Sequence, residues 1–121
     1  MALVTGPSSG GLSLLWAMAS NVPIIGDASY AVSEMVEDRH SALLAKPGDS
    51  RLLAQRVRLL LDDAQLAWKL RDSARHEAFS YFSRQRYCNS IAAVYEQVVT
   101  HQPIEVPPLP VTGGLRFAGR A

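Results

Sequence analysis

The stretch Ala2-Leu3-Val4-Thr5-Gly6-Pro7-Ser8-Ser9-Gly10-Gly11-Leu12-Ser13-Leu14-Leu15-Trp16-Ala17-Met18-Ala19 decides the fold. A short apolar run, Ala2-Leu3-Val4, enters a glycine-rich turn. Leu12, Leu15, Trp16 and Ala19 then fall at i, i+3, i+4 and i+7, one face of a helix. Reading outward, Val22-Pro23-Ile24-Ile25 predicts a second short strand, with Pro23 near its start, where a missing N–H matters least. Val32, Met35 and Val36 predict a brief helix. Ala42-Leu43-Leu44-Ala45 predicts a third strand, stopped by Pro47-Gly48. Strands and helices in alternation, with short connections, imply an α/β fold: a short parallel sheet of about three strands with right-handed crossovers.

From residue 49 onward the pattern is helical. Asp49 suits the N-cap of a helix whose apolar stripe is Leu53, Val57, Leu60 and Leu61. Asp62-Asp63 ends that helix and caps the next, along which Leu66, Leu70 and Ala74 align. Ser83 caps the last, with Tyr87, Ile91, Val94, Tyr95 and Val98 as the most regular stripe in the chain. Each stripe reads as core packing. From His101 to Ala121 the chain carries Pro103, Pro107, Pro108, Pro110 and Gly113-Gly114. Such a segment holds neither a helix nor a central strand, so the expected organisation is a domain over 1–98 and a Pro/Gly-rich extended tail over 99–121. Within the tail, Pro107-Pro108-Leu109-Pro110 is compatible with polyproline II.

The 121 residues include 12 Lys and Arg against 11 Asp and Glu, a net charge of +1 that offers no pull toward nucleic acid or an anionic membrane surface. No apolar run approaches the roughly 20 residues that cross a bilayer. The first residues lack the basic and apolar regions of a secretory signal. Cys88 is the single cysteine and falls in a helical pattern, which suggests a semi-buried thiol in a reducing cytoplasm. His40, His76 and His101 lie too far apart in sequence for a metal-ligand spacing, so no metal is expected. Glu34, Glu37 and Asp38 read as a solvated acidic face. Arg71, Arg75, Arg84 and Arg86 are interleaved with acids and read as surface.

The chemistry points back to the turn. Glycines let a backbone approach an anion, and the free N–H groups of a helix start point toward it; Gly10 and Gly11 stand at that place. A tight turn that merely needs positive φ is the alternative. Residues 2 to 10 resemble the opening of short-chain dehydrogenases, whose Thr-Gly-x-x-x-Gly-x-Gly turn holds a nicotinamide dinucleotide, and Asp27 lies where a ribose-binding acid would follow. Leu12, however, replaces the third glycine. The Tyr-x-x-x-Lys pair is also missing, because Lys46 and Lys69 are preceded at four residues by Ala42 and Gln65.

A longer resemblance covers about Ser8 to Val98. Gly11-Leu12-Ser13-Leu14-Leu15-Trp16-Ala17-Met18-Ala19, Val22-Pro23-Ile24-Ile25 and Glu34-Met35-Val36-Glu37-Asp38 look like the family 4 (group 1) retaining glycosyltransferases of the GT-B fold. So do Ala42-Leu43-Leu44-Ala45, Pro47-Gly48-Asp49 with its Leu-rich helix, and Phe82-Ser83 before a Tyr-bearing helix. The order and spacing of the pieces carry the likeness.

That resemblance implies the latter half of the C-terminal, Rossmann-like domain that binds a nucleotide-sugar donor. The turn at Gly10, Gly11 and Leu12 would offer N–H groups to the donor diphosphate. Two glutamates with seven residues between them, one contacting the sugar and one the ribose, would stand at Ser8 and Trp16. Both are replaced, as is a downstream Gly-Gly by Tyr30-Ala31. Trp16 also lies with Leu12 and Leu15, which favours core packing for it. The implied ligand is a nucleotide-diphosphate sugar, with no cofactor, no metal and no catalytic residue in this stretch. As a fragment the chain is expected to be inactive alone. Its expected partners are an N-terminal half, a second chain or a second copy. A non-enzymatic interaction module on a decayed transferase scaffold and a dinucleotide-binding Rossmann fragment remain the alternatives.

Overall fold

The computed structural model describes residues 1–6 and 11–104. Three parallel strands, β1 (Ala2–Val4), β2 (Ile24–Asp27) and β3 (Leu43–Ala45), form one sheet in the order β1-β2-β3. Helix α1 (Leu12–Ala19) connects the first two, and the single turn α2 (Tyr30–Ser33) lies between β2 and β3. Three longer helices follow: α3 (Ser50–Asp62), α4 (Ala64–Tyr81) and α5 (Arg84–Val99).

Side chains alternate across a strand, so the sheet feeds two cores. On one face Val4, Ile24 and Leu44 meet Leu14 and Met18 of α1 and Ala74 and Ala78 of α4. On the other, Ile25 and Leu43 meet Leu60 of α3 and Leu70 of α4, with Leu53, Val57 and Leu66 packed around them. Helix α4 thus contributes to both cores, and β3 is buried at all three residues.

The predicted helix starts are realised. Asp49 accepts from Leu52 N at 2.9 Å, Asp63 from Leu66 N at 2.9 Å and Ser83 from Arg86 N at 3.3 Å. Each such cap is worth about 1 kcal/mol.

Several expectations are corrected. Strand β2 begins at Ile24 rather than Val22. Pro23 has no N–H to give, and it enters the pairing only through its carbonyl, which accepts from Ala2 N at 2.9 Å. The strand continues instead through Gly26, where a Cβ would come 2.8 Å from the carbonyl oxygen of Val4. On α1 the buried residues are Leu14 and Met18; Leu12 is exposed and Trp16 is 68% exposed. Because α1 is apolar at every position but Ser13, periodicity leaves its inward face open, and packing against the sheet and α4 selects it.

Leu61 is exposed at the end of α3, and Cys88 is exposed rather than semi-buried. Helix α5 buries no residue, so its stripe is not core: Tyr87, Ile91, Tyr95 and Val98 all face outward. The Pro/Gly-rich segment over 105–121 lies outside the described residues.

Asp38 is no mere solvated acid. One of its oxygens accepts from Leu44 N at 2.8 Å and the other meets Arg56 at 3.2 Å. It fastens the loop before β3 to both the strand and α3.

Candidate functional site

In a parallel sheet, ligands bind outside the carboxyl ends of the strands. Here that edge gathers Thr5 and Gly6 beyond β1, Asp27 at the end of β2, and the start of α1. Asp27 Oδ2 accepts from Gly6 N at 3.0 Å, tying the end of β2 to the entrance of the glycine-rich turn. This fixes the carboxylate to the backbone, a structural duty distinct from a nicotinamide-ribose contact.

Of the expected donor-binding residues, Ser8 and Gly10 lie outside the described residues. Gly11 is the N-cap of α1, at φ 77° and ψ −133°. That conformation is open to glycine and strained for any residue with a Cβ. No described atom comes within 4 Å of where a Cβ would sit, so the need for glycine there is conformational rather than steric. Leu15 N bonds the Gly11 carbonyl at 3.0 Å, which starts the helix ladder.

Among the described residues no side chain caps α1, and no acid stands in its first turn. Helices α3, α4 and α5 each carry an Asp or Ser cap. Among the described residues no side chain caps the first N–H groups of α1, which lie at the positive end of the helix dipole.

Leu12 and Trp16 lie on one exposed side of α1, a turn apart. The structure thus brings Gly11, Leu12 and Trp16 onto one accessible surface, and Trp16 is available to a ligand or partner rather than lost in the core. Its indole can donate one hydrogen bond and accepts none, the reverse of a carboxylate at that position.

Away from this edge, sequence reasoning passed over Glu77. It is 8% exposed, with Oε1 3.4 Å from His40 Nε2 and Oε2 buried without a hydrogen-bond partner. Burial pushes its carboxyl above the ordinary value; hydrogen bonding from Ser41 and the His40 charge oppose the rise, Glu37 adds to it, and His76 opposes it. No local signal in the helical pattern of α4 marks this residue.

Comparison with known proteins follows the same outline. The N-acetyl-alpha-D-glucosaminyl L-malate synthase of Bacillus anthracis is 28% identical over 99 residues, 82% of this chain and 26% of that protein. The sucrose-phosphate synthase of Thermosynechococcus elongatus superposes with a TM-score of 0.71 at 24% identity, covering 83% of this chain and 26% of its own. The Anabaena protein HepE, solved in complex with UDP, superposes with a TM-score of 0.65 at 22% identity, covering 75% of this chain and 27% of its own. The chain therefore spans about a quarter of the length of these relatives. No described helix is long and apolar enough to cross a membrane. A model of the family described as glycosyl transferases group 1 matches residues 7–77, and with more than half of its length so matched the chain belongs to that family.

Proposed function

We propose that the chain is the latter part of a nucleotide-sugar-binding domain, spanning 1–98, that holds the diphosphate of a donor at the start of α1. The observation that carries this reading is the N-terminus of α1 at the carboxyl edge of the sheet, capped by no side chain among the described residues and entered through a glycine in a conformation strained for other residues. Such a start presents backbone N–H donors and a positive dipole end to an anion. The complex of HepE with UDP supports a nucleoside diphosphate as the ligand class. Ser8 and Trp16 stand where carboxylates would contact the sugar and the ribose, so the chain alone binds without transferring. The lone Cys88 fits a cytoplasmic setting.

Isothermal titration with a panel of nucleoside diphosphates and their sugar conjugates tests this. Binding of at least one nucleotide is expected, weakened about tenfold or more in Gly11→Val. The strain of a β-branched residue at this φ costs about 1–3 kcal/mol, and about 1.4 kcal/mol is tenfold in affinity. A folded chain that binds none of them at millimolar ligand would refute the reading.

The same reading includes a protein partner. Strand β1 has no neighbour on its outer side among the described residues, and Leu3 is 57% exposed there. An open edge with an apolar flank is a site for pairing with another chain. The occupant is an N-terminal half, a separate chain or a second copy. Sedimentation velocity should show mass rising with protein concentration for the isolated chain, and replacing Leu3 with lysine should suppress the rise. A monomer at every concentration would remove the second copy from this account.

A further inference from the structure

Helix α5 has no part in the donor-site reading, and the fold leaves it nearly bare. It has 16 residues and buries none of them. Helices in proteins draw most of their stability from packing an apolar face, and α5 has such a face without a cover. Tyr87 is 67% exposed, Ile91 41%, Tyr95 70% and Val98 54%.

The spacing of that face reads the same in both directions. From Arg84 through Tyr87, Ile91 and Tyr95 to Val98 the steps are three, four, four and three residues. Their mean of about 3.5 keeps all five on one seam of a helix pair. A face so arranged about Ile91 fits a second copy of itself turned end for end, because an isologous contact sets residue i against j and j against i. Ile91 then meets Ile91 of the second copy, Tyr87 meets Tyr95, and Arg84 meets Val98.

The relief of the surface is complementary in the same sense. Beside the first turn of α5 lies a cavity of about 470 Å³, lined by Leu15, Tyr81, Phe82, Tyr87, Arg84 and Arg86. The other end of the helix carries the exposed Tyr95 and Val98. Turned end for end, hollow faces projection at both ends of the pair.

The charges agree. A helix is stabilised by acids at its start and bases at its end. Helix α5 has the opposite order: Arg84 and Arg86 stand in its first turn and Glu96 in its last, with no acid in the first and no base in the last. That order is unfavourable for a helix alone. An antiparallel neighbour brings its negative end to the arginines and its positive end toward Glu96, which offsets the misfit in both copies.

We propose that α5 is a self-pairing surface, on which two copies of the chain pack antiparallel about Ile91 with Tyr95 and Val98 of each over the aromatic cavity of the other. The seam is about 24 Å long and about 10 Å wide, well under the about 800 Å² per partner of a standard interface, so the pair is weak and exchanges. It is separate from the open edge of β1 and rests on no part of the donor reading.

Disulfide trapping in the whole chain tests this, in a Cys88→Ser, Leu3→Lys background that removes the single thiol and blocks the β1 edge. A disulfide needs Cα atoms about 4.4–6.8 Å apart, so it reports register. Under mild oxidation Ile91→Cys, on the two-fold axis, should cross-link to itself several-fold faster than Tyr87→Cys or Tyr95→Cys does. Mixing the last two, one of them isotope-labelled, should give the mixed disulfide several-fold faster than either like pair. All three side chains are exposed, so none of these variants threatens the fold. Equal rates at the three positions, or rates no faster than in urea, would overturn the proposal by making the contacts collisional. The absence of the preferred cross-links, or their appearance only when Leu3 is restored, would overturn it too, the latter by giving the pair to the β1 edge.

Discussion

Leu14→Ala is expected to cost the chain about 2–5 kcal/mol, read as a fall in the midpoint of urea unfolding at unchanged slope. Leu14 is 0% exposed and fills the space between the sheet and α4, beside Met18, Ile24 and Ala74. The strands are three and four residues long, so few neighbours can move in to refill the hole. Domains of this size hold only about 5–15 kcal/mol in total. The variant should therefore sit near its unfolding transition and lose ligand binding with it, since α1 carries the glycine turn. Trp16→Ala, two positions along, should change stability by no more than about 0.5 kcal/mol, because its ring is already in water. The reverse order, Trp16 costly and Leu14 cheap, would show that α1 presents its other face to the sheet.

That pair of variants marks where the sequence stops being readable. Positions with a local chemical requirement are legible. Asp49, Asp63 and Ser83 are recognisable as caps because a short oxygen-bearing side chain three residues ahead of a free N–H does one thing. The parallel sheet is legible because βαβ alternation with short connections leaves few other arrangements. The inward face of α1 is not, since nearly every residue on it is apolar. The stripe on α5 is the opposite case: its period is regular, but periodicity shows that a face suits apolar contact without showing what supplies it.

Long-range polar partners are the least legible of all. Asp38 reads as one member of an acidic run, and only the fold brings it to Leu44 N, six residues on, and Arg56, eighteen on. In the candidate site, the need for glycine at position 11 is visible in sequence as a glycine-rich turn ahead of a helix. The exposure of Trp16 depends on how α1 rolls against the sheet, so it is not.

Glu77→Gln is expected to remove a pH dependence that the parent chain carries. Its carboxyl lies in α4 against the loop Glu37, His40 and Ser41, with His76 beside it on the same helix. Burial dominates and raises its pKa above the ordinary 4.5, so the folded chain holds this proton more tightly than the unfolded one. Stability changes with pH as the protons bound unfolded minus those bound folded, a negative difference between the two values. The parent should therefore lose stability as pH rises from 4.5 through the raised folded value, then level off. The loss falls on an ionised, buried oxygen, Oε2, that no hydrogen bond meets. A buried polar atom left unpaired costs about 1–3 kcal/mol, and the contact with His40 at 3.4 Å offsets part of that when the imidazole is protonated. Glutamine keeps the shape and an acceptor for Ser41 without the charge. Unfolding midpoints of parent and variant should thus lie close together near about pH 4 and separate in favour of the variant by about pH 8. If the parent instead gains on the variant as pH rises, the ion pair with His40 outweighs desolvation, and Glu77 is an anchor that the fold needs charged.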